Sequence, residues 1–245
     1  MDDYSQLIKQ GDQAFQKEKT MDAIRAYNAA ITMKDNEDEE TAELLYKLSQ
    51  AYSILNPKEP DVPRKYAQRA LDIHKKIGLA DLVVMDALNL AFIELQAGNR
   101  AASLTELDKA IAMASEIKDE SLISTCLISK ADTLAGLVSK RAEARDLYVE
   151  ASALAEKNGF WDNFFEAQHG VLEIIRQEGD VEKAFSLAMK LLDHIDLLCT
   201  SIKNKKERAD FRKSVSYVYD SASDIAMELE NVEEAIKIAQ RLKEA

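Results

Sequence analysis

Leu7-Ile8-Lys9-Gln10-Gly11-Asp12-Gln13-Ala14, followed by Ala23-Ile24-Arg25-Ala26-Tyr27-Asn28-Ala29-Ala30, is the stretch whose reading decides the fold. Leu7, Gly11 and Ala14 recur at four and three residues, as do Ala23, Tyr27 and Ala30, so each set lies on one face of a helix. Small residues on those faces let two antiparallel helices approach closely, and Tyr27 fills the flank. The second phrase returns along the chain as Ala67-x-x-Ala70, Ser103-x-x-x-Leu107-x-x-Ala110, Ala144-x-x-x-Tyr148-x-x-Ala151, Ala184-x-x-x-Ala188-x-x-Leu191 and Ala235-x-x-x-Ala239-x-x-Leu242. Its last residues step by 40, 40, 41, 40 and 51 positions. A fixed period of that size marks stacked helix pairs, which build a surface before they build an active site.

The composition agrees. With 7 Gly and 3 Pro in 245 residues there is too little punctuation for a β protein. Hydrophobic residues at 47% and charged residues at 31%, spread along the chain, describe a folded body without a disordered half. The expectation is an all-α, right-handed superhelical solenoid of about twelve helices in six antiparallel pairs, forming a single repeat domain over 1–245. The pairs are read at 4–37, 41–78, 81–118, 120–158, 162–202 and 207–245. Leu90, Ala110, Ala131, Tyr148 and Ala151 are expected to be buried, since they carry the repeat text of the central pairs.

The repeat text resembles the tetratricopeptide repeat. Leu7-x-x-x-Gly11-x-x-Ala14 with Ala23-x-x-x-Tyr27-x-x-Ala30 matches that pattern, and the later phrases extend the likeness over nearly the whole chain. The step of about 40 residues is similar to the longer-helix variants of kinesin light chain and of bacterial and archaeal regulators. At the small position of each first helix Gly11 matches, while Ser49, Ala91, Asp132, Leu172 and Ser223 replace it later, which implies less regular stacking in the fourth and fifth pairs. The final text, Arg208-x-x-Phe211 to Tyr217-x-Tyr219-Asp220 and on to Glu244-Ala245, is similar to the last repeat before caspase-like CHAT protease domains.

Several local features have a structural and a functional reading. The acidic run Asp35, Glu37, Asp38, Glu39, Glu40 suits the positive end of a helix dipole better than a binding tail. Asn56 to Pro63 holds all three prolines and reads as a rigid turn, with Asp61 as N-cap and Pro63 at the first helical position. Gly98-Asn99 and Gly179-Asp180 are turns. Phe160-Trp161-Asp162-Asn163-Phe164-Phe165 could anchor a partner, but Phe164 and Phe165 fall where Val83 and Val84 sit two helix pairs earlier, which favours packing; Trp161 is the residue packing explains least. An insertion around Lys203 to Arg208, followed by Arg212 and Lys213, is the one basic cluster. It is short, interleaved with acids and lacks aromatics, so it reads as a solvated helix end.

The net charge of −12, from 32 basic and 44 acidic side chains, opposes nucleic acid and anionic membranes as partners. No apolar run is long enough to span a bilayer, and MDDYSQLIKQGD lacks the layout of a signal peptide, so a cytoplasmic location is expected. Cys126 and Cys199 stand apart and read as buried thiols; His74, His169 and His194 share no ligand spacing, so no metal and no cofactor is assigned. No phosphate loop, GxSxG or HExxH is present. The sequence therefore points to a non-catalytic scaffold that binds another protein or peptide. The alternative is a sensor or regulatory arm acting on a separate effector, such as a CHAT-type protease, a kinase or a transcription regulator.

In the resembled family the first helix of each pair lines the concave face. Extending the register puts Tyr46, Gln50, Met85, Leu88, Phe92, Leu95, Ser129, Thr133, His169, Glu173 and Arg176 along it. Leu88, Phe92 and Leu95 make an apolar stripe that suits an amphipathic helix, with Arg176 at its acidic end, unless the long helices turn that stripe inward as core. Scaffolds of this family that clamp the C-terminal carboxylate of heat-shock chaperones carry Lys and Asn where this chain has Ile8 and Asp12, and basic residues where it has Leu88 and Phe92, which argues against that role. The last pair is read as lacking a polar closing helix, so its C-terminal end is expected to pair with a second copy, as a homodimer, or with a partner.

Overall fold

The computed structural model describes residues 2–243, so the Glu244-Ala245 end of the last phrase lies outside the described residues. Among those residues there are thirteen α-helices, one 3-10 turn and no strand. The chain divides into two compact units, residues 1–129 and 130–245, with the boundary inside the helix Glu120–Ala135.

The first unit holds α1 (Asp2–Gln16), α2 (Thr20–Ile31), α3 (Glu39–Leu55), α4 (Asp61–Ile77), α5 (Ala80–Gln96), α6 (Arg100–Ile117) and the start of α7 (Glu120–Ala135). Successive helices lie against one another as hairpins, and the repeat alanines are the contact points. Ala23, Tyr27 and Ala30 of α2 are buried with Leu44 and Leu48 of α3, and Leu7 and Ala14 of α1 cover them. Ala70 and Ile73 of α4 meet Ala42 and Leu45 of α3. Ala110 and Ala114 of α6 share a core with Val84, Ala87 and Ile93 of α5.

The second unit holds the remainder of α7, the 3-10 turn Val138–Lys140, α8 (Arg141–Asn158), α9 (Trp161–Gln177), α10 (Val181–Ser201), α11 (Lys205–Ser214), α12 (Ser216–Glu228) and α13 (Val232–Lys243). Leu90, Ala110, Ala131, Tyr148 and Ala151 are all buried, the three alanines completely. Phe164 and Phe165 are buried, as are Val83 and Val84. Their rings and that of Trp161 surround His194 of α10 at centroid distances of 5.2, 5.5 and 5.3 Å, so the aromatic cluster is filled from within the chain.

Two boundaries differ from the expectation. The pair read over 207–245 holds three helices in place of two, since its first part breaks at Val215 into α11 and α12, which raises the count to thirteen. Asn204 begins α11 by accepting from the backbone N–H of Lys206 at 2.9 Å, so the insertion has its own capped start. Helix α4 begins at Asp61, with Pro60 at the N-cap and Pro63 at the third position, where the missing N–H would have no intrahelical partner anyway. The acidic run behaves as an N-terminus: Asp38 caps α3 by accepting from Thr41 N at 2.9 Å, and that bond, ahead of one from Lys34, holds its carboxyl below the usual range. Gly98 turns the chain with φ at +87°, in the region where a side chain would be strained.

Candidate functional site

On the face made by α3 and α5, a cavity of about 370 Å³ is lined by Glu39, Glu43, Tyr46, Lys47, Gln50, Leu82, Met85, Asp86 and, from α4, His74. A second cavity of about 200 Å³ adjoins it toward α1, lined by Asp12, Phe15, Gln16 and Tyr27 and sharing Lys47 and Gln50. The two form one strip along the first helices of the three pairs in this unit.

Polar contacts fix the walls. Lys47 Nζ sits 2.9 and 3.0 Å from the two oxygens of Asp12 and 3.3 Å from Glu43 Oε1. The Tyr27 hydroxyl donates to Asp12 Oδ1 at 2.8 Å, so Asp12 ties α1, α2 and α3 together. Gln50 Nε2 donates to the Tyr46 hydroxyl oxygen at 3.0 Å. Burial, and then the nearby charge of Asp86, pushes the Tyr46 phenol up.

The floor is a buried pair. His74 Nδ1 lies 2.6 Å from Asp86 Oδ2, with both side chains almost fully enclosed. With the carboxylate ionised, Nδ1 carries the hydrogen and donates it. Burial raises the Asp86 carboxyl to about 6, against the opposing bond from His74. Asp86 Oδ1 and His74 Nε2 have no hydrogen-bond partner in the protein. Helix α5 is the most apolar of the chain, yet it buries Asp86, Asn89 and Glu94. Asn89 is satisfied by Ser49 Oγ at 2.5 Å, and Glu94 by Arg64 and by Asn99 at 2.9 Å. Asp86 alone of the three keeps a fully buried oxygen without a donor.

Of the residues read from the repeat register, Tyr46, Gln50 and Met85 come together in the larger cavity. Phe92 is 45% exposed on α5, while Leu88 and Leu95 are half-buried and Leu88 lies against the α5–α6 core. The apolar stripe is thus split, with Phe92 outward and its neighbours partly inward. Ser129 is half-buried and its hydroxyl donates to the Thr125 carbonyl at 3.0 Å. Thr133 is 2% exposed, so the register places on the surface a residue that the fold encloses. In the second unit, His169 Nε2 is 2.7 Å from Ser221 Oγ, and burial holds its imidazole below the usual value. Arg176 donates through Nε to Glu228 Oε1 at 2.9 Å and lies 3.6 Å from Glu173. Its cation is already matched within the chain.

Sequence reasoning missed Glu39, Glu43, Lys47, His74, Leu82 and Asp86. The available signal was a lone acid inside the apolar run Leu82-Val83-Val84-Met85-Asp86-Ala87-Leu88, where a charge must have a reason. No thiol or aliphatic hydroxyl stands in the lining beside the His74–Asp86 pair. Cys126 and Cys199 are free and buried, and burial pushes the Cys126 thiol up to about 12. Among the described residues no helix is long and apolar enough to cross a membrane.

No family model matches the chain, and no curated protein matches it in sequence. Solved structures do match. Aspartyl phosphate phosphatase F from Bacillus subtilis aligns over 98% of this chain and 69% of its own, with a TM-score of 0.70 and 15% identity. A Rap protein complexed with competence and sporulation factor aligns over 98% of this chain and 74% of its own, with a TM-score of 0.64 and 21% identity. A signal transduction ATPase with numerous domains from Pyrococcus horikoshii, which carries a tetratricopeptide repeat sensor, aligns over 96% of this chain and 35% of its own, with a TM-score of 0.65 and 18% identity. In fold, this chain is therefore a helical-repeat protein of the tetratricopeptide type, in the long-helix form that steps about 40 residues per pair.

Proposed function

We propose that the chain is a non-catalytic scaffold whose first unit binds a peptide or a segment of another protein along the α1–α3–α5 face. The observation that carries this reading is the pair of adjoining cavities sharing Lys47 and Gln50, with Met85 exposed in the larger one and Phe92 exposed further along α5. The larger cavity, at about 370 Å³ with a few fixed polar groups, has the size of a recognition site. Exposed Phe92 and Met85 suit a partner that brings its own apolar residues, as an amphipathic helix does. Of the register residues, Tyr46, Gln50 and Met85 line the larger cavity, and Phe92 is exposed further along α5. Ser129, Thr133, His169, Glu173 and Arg176 are engaged within the chain and stand outside the binding face. The solved Rap protein complexed with competence and sporulation factor gives the fold a precedent for holding a ligand.

A second reading, a sensor arm acting on a separate effector, is favoured by the likeness to the tetratricopeptide repeat sensor of the Pyrococcus horikoshii ATPase. It uses the same face and adds an output.

The test is selection of a displayed random peptide library on the intact chain, followed by measurement of the selected peptides on the parent and on Met85→Lys. Enriched peptides that lose binding on M85K support the reading. No enrichment above background, or equal binding to M85K, overturns it.

A further inference from the structure

We infer that the floor of the α3–α5 cavity is a subsite for a cationic nitrogen group, an ammonium or guanidinium, whose N–H meets Oδ1 of Asp86. The inference rests on reading this face as the binding face, and it adds the chemistry of what enters.

Asp86 is 1% exposed, lines the cavity and has one oxygen held by His74 at 2.6 Å and one oxygen with no donor. A buried carboxylate oxygen without a donor is costly, and proteins leave such groups where a ligand completes them. The other buried acid of α5, Glu94, shows how the fold satisfies a carboxylate when the bond is structural: Arg64 takes one oxygen and Asn99 the other. At Asp86 only half of that arrangement is built. Burial has already raised its carboxyl to about 6, a cost that a cation at Oδ1 would offset.

The surroundings select charge and shape. Glu39 and Glu43 stand exposed at the rim, and the one lysine of the lining, Lys47, is held by Asp12 and Glu43. An entering anion would face two rim carboxylates and Asp86, with no unpaired cation to meet it. An entering cation is favoured by all three. Tyr46, Leu82 and Met85 supply walls for the methylene stem that carries an ammonium or guanidinium, and the ring of Tyr46 also favours a cation over its face. His74 acts as a positioning residue, since its bond to Oδ2 fixes the carboxylate plane and leaves Oδ1 without a partner.

Such a group could arrive on a basic side chain of a peptide or on a free amine. The intact chain is titrated at pH 7.5 with agmatine and cadaverine in one arm. In the other arm it is titrated with the blocked pentapeptides Ac-Ala-Ala-Lys-Ala-Ala-NH2, its arginine analogue and its norleucine analogue. Binding is read from NMR shifts of the Met85 methyl and the Tyr46 ring. The expected result is binding of the cationic probes, at least about tenfold weaker for the norleucine peptide and for Asp86→Asn. The tighter arm identifies the source. Glu43→Gln, on the exposed rim, is expected to weaken the cations by a smaller factor, which keeps the test valid should D86N fail to fold. The inference is overturned if the cationic probes do not bind, if norleucine binds as tightly as lysine, or if a folded D86N binds cations as the parent does; should D86N fail to fold, parent-like binding by E43Q overturns it. A chain that selects peptides through Met85 but ignores cations fails here alone; one that binds amines but selects no peptide fails the scaffold reading alone.

Discussion

The ring of Tyr148 in α8 lies directly over the backbone of Gly170 in α9, so closely that a Cβ at position 170 would stand 2.3 Å from the tyrosine Cζ. Tyr27 of α2 does the same to Gly11 of α1, where a Cβ would meet its Cε1 at 2.3 Å. The repeat aromatic needs a glycine under it, once from the preceding helix and once from the following one. The register had assigned the fifth small position to Leu172, which is fully buried, and passed over Gly170.

Gly170→Ala is therefore expected to destabilise the chain, although alanine in an open helix gains about 1 kcal/mol over glycine. The added methyl must displace a ring that is anchored by its hydroxyl to Asp132, and overpacking of this kind costs about 1–3 kcal/mol. Thermal melts of G170A in the parent and in a Tyr148→Leu background give the coupling. Equal effects in both backgrounds would remove the ring as the cause.

Phe92→Ala distinguishes a groove residue from a core residue. At 45% exposure the ring contributes little to the core, and the expected loss is within about 1 kcal/mol, against about 3–5 kcal/mol for a buried phenylalanine. The same variant should weaken the peptides selected on the parent chain. A large drop in melting temperature would take Phe92 off the binding face.

The Asp86 carboxyl is raised by burial from 3.8 to about 6, so between those values the folded chain holds a proton that the unfolded chain has released. Fewer protons bound in the unfolded state means stability falls as pH rises: this contribution is full below the unfolded value and is lost as pH passes through about 6. Asp86→Asn carries no such loss. The melting temperature of D86N relative to the parent should rise between about pH 4 and pH 7, by the equivalent of roughly 1–3 kcal/mol. A difference that stays flat with pH would contradict the assignment of the shift to Asp86.

Helix α13 leaves Val232 and Ile236 52% and 54% exposed, one turn apart on a single face. We expect this face to associate with a second copy. Sedimentation equilibrium should show concentration-dependent dimerisation that Ile236→Glu removes. A monomer at high concentration would end the expectation, as would dimerisation unaffected by I236E.

The period of alanines, the scarcity of glycine and the three-and-four spacing were enough to identify an all-α helical repeat, though not the break at Val215, because helix formation is set by local residue size and by a period written along the sequence. The register also brought Tyr46, Gln50 and Met85 to one cavity, since residues at corresponding positions of successive first helices face the same way. Tertiary structure alone decided the rest. His74 and Asp86 sit on different helices, and their 2.6 Å contact depends on how α4 crosses α5, which no spacing rule contains. Thr133 is enclosed and Phe92 exposed although the register put both on one face, because burial depends on what packs against each helix and not on position within the repeat alone. Arg176 reads in sequence as a free basic group; Glu228, on α12 and 52 positions later, makes it an internal ion pair. Local patterns fix which residues form helices, whereas a site forms from charges and cavities between helices, and those are settled only when the helices meet.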